Sequence, residues 1–412
     1  MNTPANQRDW EALYAGRAER MRASEIRELL KLLARGDVIS FAGGIPDPAL
    51  FPMEAIARAH AEVLADPKLG PDALQYSVSE GYPPLRAWIA ARMGKLGVPC
   101  DLDNVVITAG SQQALDLLGK LFLGKDDTVL VTKPTYLGAL QAFNAYEPRF
   151  AELRLDGNLT PAAYREDAAA AGSRLALSYV VADHANPSGI SVPLATREKM
   201  IELAADLDIP LIEDAAYEAL TYDGPPLPSC LALEVARHGN IDTCRTVYCG
   251  TFSKTIAPGL RLGWICAARA LVRKVVLAKQ AADLHSSSLN QIVMHKVVTA
   301  VFDTQLVRLR EAYAKRRDAM LKALARHMPE GVRWPRPTGG MFVWVSLPEG
   351  CDSAELLAVA LEREKIAFVP GRPFFHDGSG ATAMRLNFSL MREDRIDEGI
   401  ARLARVIKGW RK

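Results

Sequence analysis

The 412-residue chain has six cysteines, seven histidines and no long apolar run, and each scarcity removes a class of function. Cys100, Cys230, Cys244, Cys249, Cys266 and Cys351 are scattered without a Cys-x-x-Cys pair, so reduced thiols are expected rather than a disulfide framework or a zinc site. The histidines lack ligand spacing: His285 and His295 stand ten residues apart and no His-Glu-x-x-His occurs, so no metal is expected. No segment approaches about 18 uninterrupted apolar residues, and the opening Met1–Trp10 has no apolar core of signal-peptide length. A membrane span and secretion are therefore disfavoured, and a cytoplasmic location is expected. An excess of one charge is also missing. Lys and Arg number 50 against 48 Asp and Glu, and no basic run interleaves with aromatics, so no nucleic-acid partner is expected.

What the chain does have is 49% hydrophobic and 24% charged residues, the make-up of a globular protein with room for two domains. From about 46 to 305, strand-like apolar runs alternate with helix-like segments. Val105–Thr108 precedes a helix from Gln112 to Leu123, and Val129–Thr132 precedes one from about Gly138 to Tyr146. Leu175–Val181, a helix Ala195–Leu207, Pro210–Glu213 and Thr246–Cys249 continue the rhythm. This alternation predicts an α/β fold, a three-layer α/β/α domain on a mainly parallel sheet, with ligands at the carboxyl ends of the strands. From 306 the pattern turns to α+β: a charged helix Gln305–His327, a strand Met341–Leu347, a helix Ser353–Lys365 and a strand Met384–Phe388. The division expected is a large domain over 46–305 and a small one over 306–412, joined by the segment 1–45.

Several side chains fall at predicted strand ends. Lys254 lies in Thr251-Phe252-Ser253-Lys254, just past the apolar run Thr246–Gly250, with Arg261 seven residues on. An amine beside two hydroxyls and a guanidinium suits an aldehyde-bearing phosphate ester: the amine can form a Schiff base while Ser253, Thr251 and Arg261 hold the phosphate. Asp214 closes the run Pro210–Glu213, where a buried carboxylate needs a cationic partner such as a protonated ring nitrogen; an N-cap is the plainer alternative. Tyr217 and Asn186 could both reach a phenolic oxygen, although the first could be a core tyrosine and the second an Asn-Pro turn. Thr108-Ala109-Gly110-Ser111-Gln112 leads from strand to helix, a start that binds phosphate or is simply capped by serine. Tyr136 could stack on a planar ring or merely pack. Arg385 is a charge out of pattern in a strand, suited to a carboxylate or to a structural ion pair. A near match to a phosphate-binding loop, Gly119 to Asp126, is set aside because its first glycine falls within a helix and Asp126 replaces the hydroxyl that would ligate magnesium.

The segments Phe41–Pro46, Leu74–Ser77, Gly110–Gln113, Asn186-Pro187, Asp214–Tyr217, Ser253-Lys254, Gly259–Arg261 and Gly339–Phe342, in this order and spacing, resemble the fold type I pyridoxal-phosphate aminotransferases of class I/II. The resemblance covers the whole chain and is nearest to the α-aminoadipate and kynurenine aminotransferase branch. It implies that Lys254 is the Schiff-base lysine and the proton carrier, that Asp214 pairs with the pyridinium nitrogen, and that Asn186 and Tyr217 contact the phenolic oxygen. Tyr136 would stack on the ring. Ser111, Gln112, Ser253 and Arg261 would hold phosphate, with Thr251 a weaker contact. Arg385 would take the substrate α-carboxylate, with Gly44 and Asn186 beside it. Tyr76 corresponds to a tyrosine supplied by the neighbouring subunit, so a homodimer with shared sites is implied.

The reaction implied is transfer of an amino group between an L-amino acid, such as 2-aminoadipate, glutamate, leucine or an aromatic one, and a 2-oxo acid such as 2-oxoglutarate, in two half-reactions with ping-pong kinetics. Arg27, on an amphipathic helix-like stretch from Ala23 to Leu30, is most simply a solvated charge; the resemblance matches it to an arginine that meets a side-chain carboxylate in that branch, which would favour aminoadipate or glutamate. The chain departs from the branch in His184-Ala185 before Asn186, and in the polar Leu284–Asn290, which leaves the exact substrate open. A pyridoxal-phosphate lyase would use the same residues, since the cofactor carries the chemistry. A non-catalytic regulatory module is disfavoured, because the first 40 or so residues are too few for a winged helix and Lys254, Asp214 and Arg385 are all present.

Overall fold

The computed structural model describes residues 10–21 and 37–410. A seven-stranded sheet in the order β2-β8-β7-β6-β5-β3-β4 forms the centre. Its strands are β2 (Val105–Thr108), β3 (Thr128–Val131), β4 (Arg149–Glu152), β5 (Leu175–Val180), β6 (Leu211–Asp214), β7 (Thr246–Thr251) and β8 (Gly263–Cys266). All neighbouring pairs are parallel except those of β8, which runs antiparallel to both β2 and β7. The central strands are buried along their length because both faces are covered. Along β7, Val247 and Cys249 enter one core cluster and Tyr248 the other, as a side-chain period of two requires.

A second, three-stranded antiparallel sheet, β11-β12-β9, is made of Val369–Pro370, Ala383–Asn387 and Phe342–Ser346. Beside it, β1 (Ile39–Ser40) pairs in parallel with β10 (Ile366–Ala367), so the segment before residue 45 returns to the carboxyl-terminal part of the chain.

The helix expected from Gln305 begins much earlier and spans Ser288–His327, 40 residues, with Ser287 capping its start. Neither glycine nor proline interrupts the run, so nothing stops it at 305. What changes there is the packing partner. Ile292 to Leu306 lie in one cluster, whereas Leu309, Tyr313, Met320 and Leu324 lie in the cluster that also holds β9 and β12. The helix predicted over Ser353–Lys365 is α-helical only to Val359 and continues as a π turn through Glu364. All six cysteines are free thiols, with Cys100 and Cys266 sulfurs 3.8 Å apart. Among the described residues no helix is long and apolar enough to cross a membrane.

Candidate active site

Sheet topology gathers the singled-out residues at one edge. Strands β3, β5, β6 and β7 run parallel, so the residues that follow them, Tyr136, Asn186, Asp214 itself and Lys254, leave at the same end. Antiparallel β8 adds its beginning there: Gly263 pairs with both Thr108 and Thr251, bringing Arg261 against Ala109 and Gly110. A Cβ on Gly263 would lie 2.8 Å from Ser111 N and from Gly250 O, so only glycine lets the three strand ends pack this closely.

The result is a cradle of donors. Gly110, at φ 81°, turns the chain into the helix Ser111–Phe122, whose first amides have no side-chain cap. Arg261 is held at φ 53°, a costly conformation for arginine. Its Nη2 lies 3.3 Å from the Ala109 carbonyl, and among the described residues no carboxylate lies within ion-pair reach of it. Thr251 Oγ1 lies 2.9 Å from Ser253 Oγ and 3.2 Å from the Leu262 carbonyl, which makes it a shaper of this loop as much as a contact. Gln112 sends its Nε2 to the Gly138 carbonyl at 2.7 Å. Tyr136 folds back over Gly138 so closely that a Cβ there would meet its ring at 2.4 Å.

Asp214 is 2% exposed. Its Oδ2 accepts from the Tyr179 hydroxyl at 2.9 Å, and its Oδ1 has no hydrogen-bonding partner within 3.5 Å among the described residues. Burial pushes its carboxyl up to about 6, against the pull of the Tyr179 hydroxyl, the Ala216 backbone amide and Lys254. Lys254 Nζ donates to the Gly44 carbonyl at 3.0 Å and stands 6.0 Å above the Tyr217 ring. Burial first, then the Arg385 and Arg261 guanidinium groups, bring its ammonium down to about 8, with Asp214 opposing.

That depression has a sign for stability. The folded site disfavours the lysine proton while the unfolded chain keeps it near 10.5, so below pH 8 the lysine costs the ligand-free fold about 3 kcal/mol. The cost shrinks as pH rises through 8 and is gone above 10.5. Lys254→Met should therefore melt higher than wild type at pH 7, with the gap closing toward pH 10; calorimetry of the ligand-free proteins checks this, and an equal or lower melting point for the variant counts against it.

Arg385 is 1% exposed and has no carboxylate partner among the described residues. Its Nη1 donates to Asn186 Oδ1 at 2.8 Å and its Nη2 to the Ala42 carbonyl at 2.9 Å, while Nε has no partner among the described residues. The rings of Phe342 and Phe374 lie 4.5 and 5.2 Å from the guanidinium carbon. Burial lowers its pKa to about 10, still far above neutrality. Tyr217 is buried, its ring edge-on to Phe342 at 5.6 Å, and burial raises its hydroxyl well beyond the ordinary tyrosine value.

Not every candidate joins this group. Tyr76 is 81% exposed, edge-on to the His285 ring. Arg27 lies outside the described residues. The set-aside glycine, Gly119, sits inside the helix Ser111–Phe122. His184 proves to be a buried strut: its ring nitrogens meet Ser191 Oγ and Thr221 Oγ1 at 3.1 and 2.9 Å, and burial lowers its pKa to about 4. Gly44, expected beside the substrate carboxylate, enters the site through its carbonyl on Lys254, whereas sequence reasoning missed Tyr179, the two phenylalanines around Arg385 and the carbonyl of Ala42. The alternation of β5 places Tyr179 on one face, but nothing local marks it as the partner of an acid 35 residues further along the chain. The carbonyls carry no residue signature at all.

The family model for aminotransferase class I and II matches residues 37–403. The chain is 41% identical to aromatic-amino-acid aminotransferase 1 of Thermococcus litoralis, over 97% of this chain and 95% of that one. It superposes on the α-aminoadipate aminotransferase of Thermus thermophilus, solved with N-(5'-phosphopyridoxyl)-L-leucine, with TM-score 0.87 and 40% identity, covering 97% of this chain and 98% of that one. Kynurenine aminotransferase of Pyrococcus horikoshii, solved with PMP and with kynurenine as substrate, gives TM-score 0.89 at 40% identity, over 98% and 99% of the two chains.

Proposed function

The chain belongs to the class I and II aminotransferase family and is a pyridoxal-phosphate-dependent aminotransferase, and from that premise we propose the residues that run the reaction and the substrates it takes. The observation that carries the assignment is a pair of buried, opposite charges, Asp214 and Arg385, each with one unpartnered polar atom and both within electrostatic reach of an amine of lowered pKa. The unpartnered Asp214 Oδ1 fits a ring N–H cation, and the uncapped amides of Ser111 and Gln112 with Ser253 and Arg261 fit a phosphate. Tyr136, folded over Gly138, suits a ring face. Asn186 and Tyr217 would hold the phenolic oxygen.

When bound, pyridoxal phosphate supplies an aldehyde carbon that condenses with amines and a ring that accepts the electrons left when a Cα–H bond breaks. The chain supplies the rest. Arg385 receives the amino acid's α-carboxylate, offering its Nε–H and a guanidinium already desolvated between two phenylalanine rings, so little is lost on binding. That fixes the α-carbon relative to Lys254. At a pKa of about 8, Lys254 Nζ has an appreciable neutral fraction near physiological pH, which lets it take the Cα proton and give it back. Asp214 stays anionic by facing a cation and the Tyr179 hydroxyl.

The donors proposed are 2-aminoadipate, glutamate, leucine and aromatic amino acids, with 2-oxoglutarate as acceptor and ping-pong kinetics; the relatives named for aromatic, α-aminoadipate and kynurenine substrates support that range. Residues 46–305 would form the cofactor-binding domain, with 306–412 and the segment 1–45 forming the smaller one. A homodimer is supported by Leu74, Tyr76 and Val78, which stand 71%, 81% and 51% exposed in one stretch and suit burial against a second copy that would receive Tyr76 in its site. Mixing the holoenzyme with an amino acid and no 2-oxo acid tests the reaction class. The bound cofactor should convert stoichiometrically to pyridoxamine phosphate with release of one 2-oxo acid; fragmentation of the amino acid without that conversion would mark a lyase.

A further inference from the structure

The segment Phe41–Leu50 is a strap fastened along its length. Strand β12 and the residues after it hold its first half through alternate positions: Arg385 Nη2 donates to the Ala42 carbonyl, Asn387 N to the Phe41 carbonyl at 2.9 Å, and Ser389 Oγ to the Ile45 carbonyl at 2.8 Å. The long helix Ser288–His327 holds the second half from one face. Gln305 Nε2 reaches the Leu50 carbonyl at 2.7 Å, Arg308 Nη2 the Ala49 carbonyl at 2.9 Å, and the Tyr313 hydroxyl accepts from Asp47 N at 3.1 Å.

Where the two halves meet, Arg316 Nη2 binds Asp47 Oδ2 at 2.6 Å, with both side chains 12% exposed. The same guanidinium donates through Nη1 to the Ser389 carbonyl, so one arginine ties the strap, the end of β12 and the helix together. Asp47 spends its other oxygen on Ala49 N at 2.9 Å. Between these anchors lie the two strap carbonyls that touch the reaction site, Ala42 on Arg385 and Gly44 on Lys254. A Cβ at Gly44 would lie 3.6 Å from Arg385 Nη2, so the strap passes directly against the guanidinium.

We propose that Asp47 and Arg316, assisted by Ser389, are positioning residues for substrate binding: their ion pair sets where the strap crosses the site, and so holds Arg385 in the orientation that receives an amino acid's carboxylate. The proposal rests on the reading of Arg385 as the carboxylate site. Two of the guanidinium's five N–H donors are held, by Asn186 Oδ1 and the Ala42 carbonyl, and moving the strap releases one of them. The loosened arginine still carries its charge, so binding weakens while the proton transfer at Lys254 is less affected.

The experiment compares holoenzyme carrying Asp47→Asn, Arg316→Gln, both together, Arg316→Lys and Ser389→Ala, with Arg385→Lys as reference. Either single change at the pair should raise KM for every amino donor about tenfold while kcat stays within about threefold. The double variant should be no worse than the worse single, Arg316→Lys should recover part of the loss, and the bound cofactor's absorption should be unchanged. Ser389→Ala removes the hydroxyl's bonds to the Ile45 carbonyl and to Asn387 Oδ1, leaves the Ser389 carbonyl on Arg316, and gives a smaller rise, which keeps the test open should the pair variants fold poorly. Unchanged KM in the pair variants and in Ser389→Ala, with lowered melting points and a raised KM in Arg385→Lys, overturns the proposal and leaves the pair a stabilising contact. Unchanged KM in Arg385→Lys as well overturns the carboxylate reading, and the proposal with it.

Discussion

Lys254→Ala should lower turnover by roughly 10⁴-fold or more, since general acid–base transfer alone contributes on the order of 10²–10⁴ and the covalent role is lost with it. The fold should survive, because a cation that burial and two guanidinium groups drive down to about 8 is a burden on the folded state rather than a support. Its loss should also be separable from binding: pyridoxal phosphate should still be retained through Asp214, Ser253, Arg261 and the Ser111 helix start. A small primary amine added to the variant should restore part of the activity, because what is missing is an amine at one place and not the architecture around it. Steady-state kcat with and without added amine is the measurement, and turnover within tenfold of wild type would remove Lys254 from the mechanism.

Asp214→Asn should have the second largest effect. The carboxylate is 2% exposed, with one oxygen satisfied by Tyr179 and the other unpartnered. Taking one charge from a buried, matched pair costs about 3–5 kcal/mol, so kcat should fall on the order of a thousandfold and cofactor affinity should fall with it. Asparagine keeps the size and can still accept from Tyr179, which confines the change to the other oxygen, where an uncharged NH2 donor replaces a charged acceptor. A loss of less than tenfold in kcat, with the cofactor bound as tightly as in wild type, would mean that Asp214 faces no cation in the working enzyme.

Much of the site could be read from residues because its chemistry is out of keeping with its surroundings. Asp214 and Lys254 end apolar strands, and Arg385 interrupts one, and each anomaly survives without knowledge of what lies opposite. The strands themselves were legible where both faces are buried, as in Thr246–Thr251, since a short apolar run between turn-like segments fits a strand covered on both sides. The edge strand β4 was not, because it has no buried position and carries a charge at each end, and β8 was not read either. The start of the long helix was missed for a different reason: charged residues crowd the run only after Leu306, where the helix also changes its packing partner, so the pattern reads as beginning there. The contacts that orient the site depend on tertiary structure alone. Tyr179 meets Asp214 from the neighbouring strand, and the carbonyls of Ala42 and Gly44 are acceptors that every residue type possesses. Arg316, in a run of charges on a long helix, looks like any solvated basic residue until Asp47 and Ser389 are placed beside it.

That Lys254 holds the cofactor can be read without measuring activity. Holoenzyme is reduced with borohydride, digested and sequenced by mass spectrometry. A single phosphopyridoxyl group on Lys254, absent when the protein is first saturated with an amino donor, is the expected result; a group on another lysine, or none, would contradict it.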